Sequence, residues 1–214
     1  MSIIVQKQAR LWHPCSQMKD YEDFPPLEIA KAHGSYLFLA DGRSIIDAIS
    51  SWWCKSLGHG HHKLKTALLE QVEKFEHVLL ANTINDTIHD LSVLLSQLTQ
   101  NLSKVMYASD GSCAVEIALK MSLHAHKIQG QTQRRRFIAL KNGYHGETSG
   151  AMSVSDVGIY REPYEELLFD PIIINHIPYV SGQNDPLWHD CSAMWSKIAT
   201  QLQEYSDTAT ALIL

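Results

Sequence analysis

The sequence predicts an α/β domain with a largely parallel sheet and flanking helices. Two observations predict it. Short runs rich in β-branched and aromatic residues, "KVMYA", "RFIALKN", "IIINHIP" and "ATALIL", are separated by longer segments of helical period. Those longer segments place apolar residues at steps of three and four, which is one stripe on a helix. A hairpin signature also stands near the N-terminus.

Taken in order, Tyr36 to Ala40 and Ser44 to Ala48 are strand-like, and Asp41-Gly42 between them is a two-residue turn signal. Leu64, Leu68, Val72, Phe75 and Leu79 recur at steps of four, four, three and four, which predicts one helix. Ile88, Leu91, Leu95 and Leu98 predict a second, with Asp86 as its cap. A strand is expected near 105–108, then a helix from Ser112 to Ile128. Further strands are expected near 136–141, 172–176 and 210–214, with a helix around Met194 to Tyr205 before the last. The four later strands are expected in one mostly parallel sheet. The stretch "SGQNDP" reads as an ordinary loop, and the chain has no internal repeat.

The bulk properties narrow the function classes. The chain has 214 residues, 45% hydrophobic and 19% charged, with a formal net charge of -5. That balance fits a globular protein and not a basic nucleic-acid surface. Cys15, Cys54, Cys113 and Cys191 are widely spaced, with no CxxC pair, and read as reduced thiols. No N-terminal segment has the form of a signal peptide, and no apolar run approaches the roughly 20 residues that cross a bilayer. A cytoplasmic location is therefore expected, with no membrane and no nucleic-acid partner. The sequence stops inside the apolar run "ATALIL", whereas domains usually end at exposed polar positions. The chain accordingly reads as the front part of a longer protein.

Four stretches carry chemistry. In "YASDGSCAVEIALKM" a strand-like run meets Asp110-Gly111-Ser112 and then a helix. The first N–H groups of a helix lack internal partners and sit at the positive end of its dipole, so they can hold a phosphate. Gly111 permits close approach and Ser112 adds a hydroxyl donor; the same residues also suit an ordinary helix cap. In "LKNGYHGETSGAMS", Tyr144 at a strand end can stack on a flat ring. His145 can be a general base or a structural histidine, and Glu147 can bond within the loop or cap the next helix. In "SSWWCKSLGHGHHKL", adjacent Trp52 and Trp53 can serve the core on one side and line a pocket on the other. His59, His61 and His62 suggest a metal, but no carboxylate or cysteine stands nearby at ligand spacing, so no metal site is expected. In "LWHPCSQM", His13-Pro14 is an extended dipeptide that says little alone.

Together and in this order, "LWHPCSQM", "DGRSIIDAISSWWCKSLGHGHHKL", "SDGSCAVEIALKM" and "NGYHGETSGAMS" resemble the adenosylmethionine–8-amino-7-oxononanoate aminotransferases. These are enzymes of biotin synthesis in the class III aminotransferase group. The resemblance implies an aspartate-aminotransferase-like fold, fold type I, with pyridoxal 5'-phosphate as cofactor. It implies that residues 1–50 are an N-terminal segment of the small domain with the hairpin, and that 51–214 are the first part of the cofactor-binding large domain. It implies that Gly111 and Ser112 bind the cofactor phosphate and that Tyr144 packs at the cofactor ring and contacts substrate. It implies that Trp52, with Trp53 beside it, lines the substrate pocket.

The implied reaction moves the amino group of S-adenosylmethionine to 8-amino-7-oxononanoate, giving 7,8-diaminononanoate, in a homodimer. One departure is Cys15, where the family often has a tyrosine that contacts substrate and stacks on the donor's adenine. A thiol lacks that stacking, worth about 0.5–1.5 kcal/mol. Glu147, where some members have Asp, is a milder change. The family's Schiff-base lysine is expected beyond Leu214, so no catalytic residue is assigned in this chain. Of the lysines near the motifs, Lys104, Lys120 and Lys141, Lys141 is the nearest to the expected pocket mouth. Three other readings stand beside this one: another class III ω-aminotransferase, a non-catalytic truncated fragment lacking the lysine, and a metal-binding module on His59, His61 and His62.

Overall fold

The structure is a computed structural model that describes residues 10–100 and 102–214. The chain divides into two compact units, Met1–Asn85 and Asp86–Leu214, and each is described by itself.

The first unit is built on a three-stranded antiparallel sheet of β1 (Ile29–His33), β2 (Tyr36–Leu39) and β3 (Ser44–Ile46), in that order. The expected β2–β3 hairpin is present, with Phe38 opposite Ser44 and Tyr36 opposite Ile46. Asp41 shapes its turn: the Arg43 N–H donates to Asp41 Oδ1 at 3.0 Å, and Gly42 takes a φ of 91°. β1 was not expected, because "IAKAH" has neither strong β-propensity nor apolar alternation. It joins β2 through Gly34-Ser35, where Gly34 has a φ of 56°. Helix α1 (His62–Val72) keeps Leu64, Leu68 and Val72 of the predicted stripe but ends before Phe75 and Leu79. The Gln71 side-chain N–H donates to the Phe75 carbonyl at 3.0 Å, and the chain leaves the helical path there.

The second unit contains α2 (Asp86–Thr99), α3 (Gly111–Ile128), β4 (Arg136–Leu140), α4 (Ser149–Ser153), β5 (Ile172–Ile174), α5 (Pro186–His189), α6 (Ser192–Glu204) and β6 (Ala209–Leu212). Asp86 is the first residue of α2 rather than its cap. The sheet runs β5-β4-β6 with both neighbours parallel to β4: Ile138 pairs with Ile172 on one side and Leu212 on the other. The strand expected at 105–108 does not form a ladder among the described residues. Val105 and Tyr107 are half-buried and alternate with exposed Met106 and Ala108, which is the strand period without a bonded neighbour. Tyr107 instead meets α2, its hydroxyl 2.9 Å from Ser92 Oγ.

β4 organises the core because successive side chains leave a strand on opposite faces. Phe137 and Ala139 pack with Leu119 of α3 and with Val154, while Ile138 packs with Ile172, Ile174 and Ile198 of α6. One helix thus covers each face of a parallel sheet, an α/β arrangement with a central strand apolar on both sides.

Candidate functional site

The second unit brings the start of α3 against the loop that leaves β4. Asp110 is the N-cap of α3: its Oδ1 accepts from the Cys113 N–H at 2.8 Å, and that bond, with one from the Cys113 thiol, holds its carboxyl below the usual range. Gly111 is therefore the first helical residue and Ser112 the second. A side chain at Gly111 would meet nothing within 4 Å, so the backbone there faces open space.

Ser112 reaches the loop directly. Its Oγ accepts from the backbone N–H of Glu147 at 3.2 Å. A hydroxyl that accepts one bond still has its O–H to give. Gly146 passes so close that a Cβ would overlap Ser112 Oγ and stand 3.0 Å from its Cα, and its φ of 128° lies where side chains are strained. Tyr144 is 56% exposed, and its hydroxyl donates to Glu147 Oε1 at 3.1 Å. Glu147 therefore bonds within the loop rather than capping α4.

His145 turns inward. Its backbone N–H donates to Ser155 Oγ at 2.9 Å, and Ser155 donates in turn to the Ala151 carbonyl at 2.8 Å. The ring lies under Gly143, where a Cβ would come within 3.1 Å of His145 Nε2. Among the described residues that buried nitrogen has no hydrogen-bond partner, and burial lowers the imidazole pKa. Of the two roles open from the sequence, this geometry, with Nε2 turned away from solvent, suits a structural histidine.

Glu116 was not anticipated. It lies one turn beyond Ser112, on the same face of α3. Its Oε1 accepts from the N–H groups of Gly150 at 2.6 Å and Ala151 at 3.3 Å. The N-cap of α4, Thr148, makes no capping bond, so a carboxylate from another helix supplies it. The four-residue step from Ser112 puts Glu116 on the same helix face, but nothing local in the sequence signals its contact with Gly150, 34 positions away.

In the first unit, Trp52 and Trp53 sit on a turn, Ser50–Trp53, whose four residues all have positive φ, from 46° to 68°. Left-handed backbone costs side-chain-bearing residues about 1–2 kcal/mol each. The Asp47 carboxylate bonds twice to this turn and once to His59. The Ser51 N–H donates to Oδ1 at 2.9 Å, the Ser51 hydroxyl to Oδ2 at 2.7 Å, and His59 Nε2 to Oδ2 at 2.8 Å. These donors lower the Asp47 pKa to about 2. His59 is fixed by paired backbone bonds with Gly34, at 2.9 and 2.8 Å. Neither tryptophan serves a core within this unit: Trp52 is 63% exposed and Trp53 84%. The turn points both outward, against the expectation that one would pack inside.

Cys15, also in the first unit, is exposed with a φ of 51°. The rings of His61 and His62 stack at 5.2 Å. Among the described residues, no three His, Cys, Asp or Glu side chains are grouped to hold a metal ion, and no helix is long and apolar enough to cross a membrane.

Residues 17–214 match the family described as aminotransferase class-III. The chain is 40% identical over 204 residues to an adenosylmethionine-8-amino-7-oxononanoate aminotransferase of Helicobacter pylori, covering 95% of this chain and 45% of that protein. It superposes on a crystal structure so named from Methanocaldococcus jannaschii with a TM-score of 0.87 and 30% identity, over 99% of this chain and 46% of that one. An amine transaminase from an uncultivated Pseudomonas species, in a pyridoxal-phosphate-bound form, gives 0.80 and 27%, over 95% of this chain and 47% of that one. The chain thus spans somewhat under half the length of these relatives.

Proposed function

Since the chain belongs to the class III aminotransferases, we propose that the protein, at the full length of its relatives, transfers the amino group of S-adenosylmethionine to 8-amino-7-oxononanoate. The donor and the acceptor rest on the name carried by relatives such as the H. pylori protein, and the product 7,8-diaminononanoate follows from placing the amino group on the acceptor's ketone carbon.

Pyridoxal 5'-phosphate is the cofactor of this family. The residues present suit it. The start of an 18-residue helix offers backbone N–H groups and a favourable dipole, Gly111 leaves space above them, and Ser112 retains a hydroxyl proton. When bound, the cofactor supplies the electron sink for moving an amino group. In the proposal, Gly111 and Ser112 hold its phosphate, and Tyr144 lies against its ring and meets the substrate. Glu147 steadies Tyr144 through the phenol. Trp52 and Trp53 wall the substrate pocket, and Cys15 touches substrate. The observation that carries the reading is the Ser112–Glu147 bond, which brings the phosphate cradle and the Tyr144 loop together.

The proposal extends to a cytoplasmic homodimer. Residues 1–50 belong to its small domain and 51–214 to the first part of its large domain. The lysine that takes the cofactor's carbonyl lies beyond Leu214, so the 214 residues alone do not transaminate. The test sets the full-length protein beside the 214-residue chain, each with cofactor and both substrates, and follows 7,8-diaminononanoate by mass spectrometry. Product from the full-length protein alone supports the whole reading. Turnover by the short chain would refute its inactivity, and absence of product from a folded, cofactor-loaded full-length protein would refute the substrates.

A second reading is favoured by Cys15. Cys15 is an exposed thiol, and a thiol offers no ring on which adenine could stack. On this reading the enzyme is another ω-aminotransferase with a different donor. A panel of ω-amines tested against S-adenosylmethionine decides between them.

A further inference from the structure

Four consecutive side-chain-bearing residues stand in left-handed backbone; the Trp53 N–H donates to the Ile49 carbonyl at 2.9 Å and the Lys55 N–H to the Ser50 carbonyl at 3.1 Å, yet each residue still carries the left-handed strain. Strain of this kind persists where surrounding groups over-determine it, and it concentrates at functional sites. Here the strained turn presents two indoles to solvent, at 63% and 84% exposure. Beside those backbone bonds, the side-chain group fastened to the turn is the Asp47 carboxylate, whose own side chain is 5% exposed.

The bonds to Asp47 join three pieces of chain. Asp47 follows β3, and its N–H donates to the Ser35 carbonyl at 2.9 Å. Ser51 belongs to the turn and bonds Asp47 through both backbone and hydroxyl. His59 comes from the "GHG" segment, pinned to Gly34 by two backbone bonds. Gly58, with a φ of 78°, lies so close that a Cβ would be 3.1 Å from the Gly34 carbonyl oxygen. A carboxylate accepts and does not donate, so Nε2 of His59 carries the proton in this contact. Asp47, Ser51 and His59 are not a nucleophilic triad: the hydroxyl gives its proton to the carboxylate, and the hydroxyl and carboxylate both meet the same imidazole nitrogen, at 3.3 and 2.8 Å.

We propose that Asp47 and His59 are positioning residues that clamp the Ser50–Trp53 turn in its left-handed form and so set where Trp52 and Trp53 stand. The consequence for substrate rests on the reading, made above, that these tryptophans wall the substrate pocket. The clamp itself does not. Ionised Asp47 holds the turn throughout the ordinary pH range, because three donors keep its carboxyl near 2.

The experiment uses the full-length, cofactor-loaded protein with Asp47→Asn, His59→Gln and Trp52→Ala. The first readout is the near-ultraviolet circular dichroism of the indoles. It is repeated in a background with Trp52→Phe and Trp53→Phe, so that other tryptophans are subtracted. The second is the separation of KM from kcat, with thermal midpoint and cofactor absorbance as controls. Asp47→Asn and His59→Gln are expected to change the part of the spectrum owed to Trp52 and Trp53. They are expected to raise KM for the amino acceptor about tenfold, with kcat and cofactor absorbance nearly unchanged, because misplaced binding groups lose orientation.

An unaltered indole spectrum in both variants overturns the clamp, whatever Trp52→Ala does. Loss of folded protein with kcat and KM affected together also overturns it, since that marks general structure. If the spectrum changes while Trp52→Ala leaves KM unaltered, the clamp stands and the substrate-wall reading falls.

Discussion

Ser112 Oγ accepts the backbone N–H of Glu147 at 3.2 Å, across 35 positions of sequence. One hydroxyl therefore joins the first turn of α3 to the loop that carries Tyr144. Gly146 lies directly over the same serine, and Glu116 reaches the start of α4 one helical turn along. The loop is thus fastened to α3 at successive points, and each fastening can be loosened separately.

Ser112→Ala removes both the acceptor for Glu147 and the donor proposed for the cofactor phosphate. A hydrogen bond to a charged group contributes about 1.5–3 kcal/mol. Pyridoxal phosphate affinity should fall by one to two decades, as roughly 1.4 kcal/mol is tenfold. Ser112→Thr keeps the oxygen and should lose much less. Equilibrium titration of the full-length protein with cofactor checks this, and equal affinities for the alanine variant and the parent would remove Ser112 from the cradle.

Gly146→Ala should be the most damaging single change in the loop. The new methyl overlaps Ser112, against backbone as well as side chain, and the φ of 128° disfavours any Cβ. Overpacking costs about 1–3 kcal/mol and strained backbone a similar amount, so destabilisation of about 2–6 kcal/mol is expected. Denaturant unfolding measures it. A cost under roughly 0.5 kcal/mol, the range of surface changes, would mean the close approach is not real.

Glu116→Ala leaves the Gly150 and Ala151 N–H groups without their acceptor and should destabilise by about 1–3 kcal/mol. Glu116→Gln keeps a carbonyl oxygen and should recover about half of that. Amide hydrogen exchange at Gly150 and Ala151 is the direct measurement. Unchanged protection in the alanine variant would show that α4 is capped by something else.

What was legible in the sequence followed the range of the interactions. α3 was expected at Ser112 to Ile128 and forms at Gly111–Ile128, because its cap and its period are both local. The run "RFIAL" was expected as a strand and is one, apolar on both faces in keeping with its place between two parallel partners. β1 was missed because its pairing with β2, not its own residues, makes it a strand. The 105–108 run was over-read for the converse reason: its alternation is strand-like, but a strand needs a bonded neighbour. In the site, the Asp110 cap lies three residues from its target and could be read. Glu116 meets Gly150 across 34 positions and could not. Nothing in "SSWW" announces positive φ, since glycine and asparagine are its usual bearers, and the bonds from Ser51 to Asp47 cross four positions.

His145 gives a prediction whose sign is set by burial. Its folded pKa is depressed because the ring is desolvated, and the buried Nε2 has no partner that would favour a second proton. The unfolded histidine has a pKa near ~6.5. Below that value the unfolded chain binds a proton that the folded loop resists, so stability is full above about 6.5 and falls as pH drops toward the folded pKa. This is opposite to a histidine that gains a carboxylate partner. The chain has twelve histidines, so the parent curve alone is not diagnostic. The measurement is the difference in thermal midpoint between the parent and His145→Gln from pH 5 to 7.5, because glutamine does not titrate. The parent should lose stability relative to the variant as the solution is acidified, with hydrogen exchange at Gly146 and Glu147 rising over the same interval. A difference curve that is flat, or that runs the other way, would mean that His145 is solvated or paired when folded.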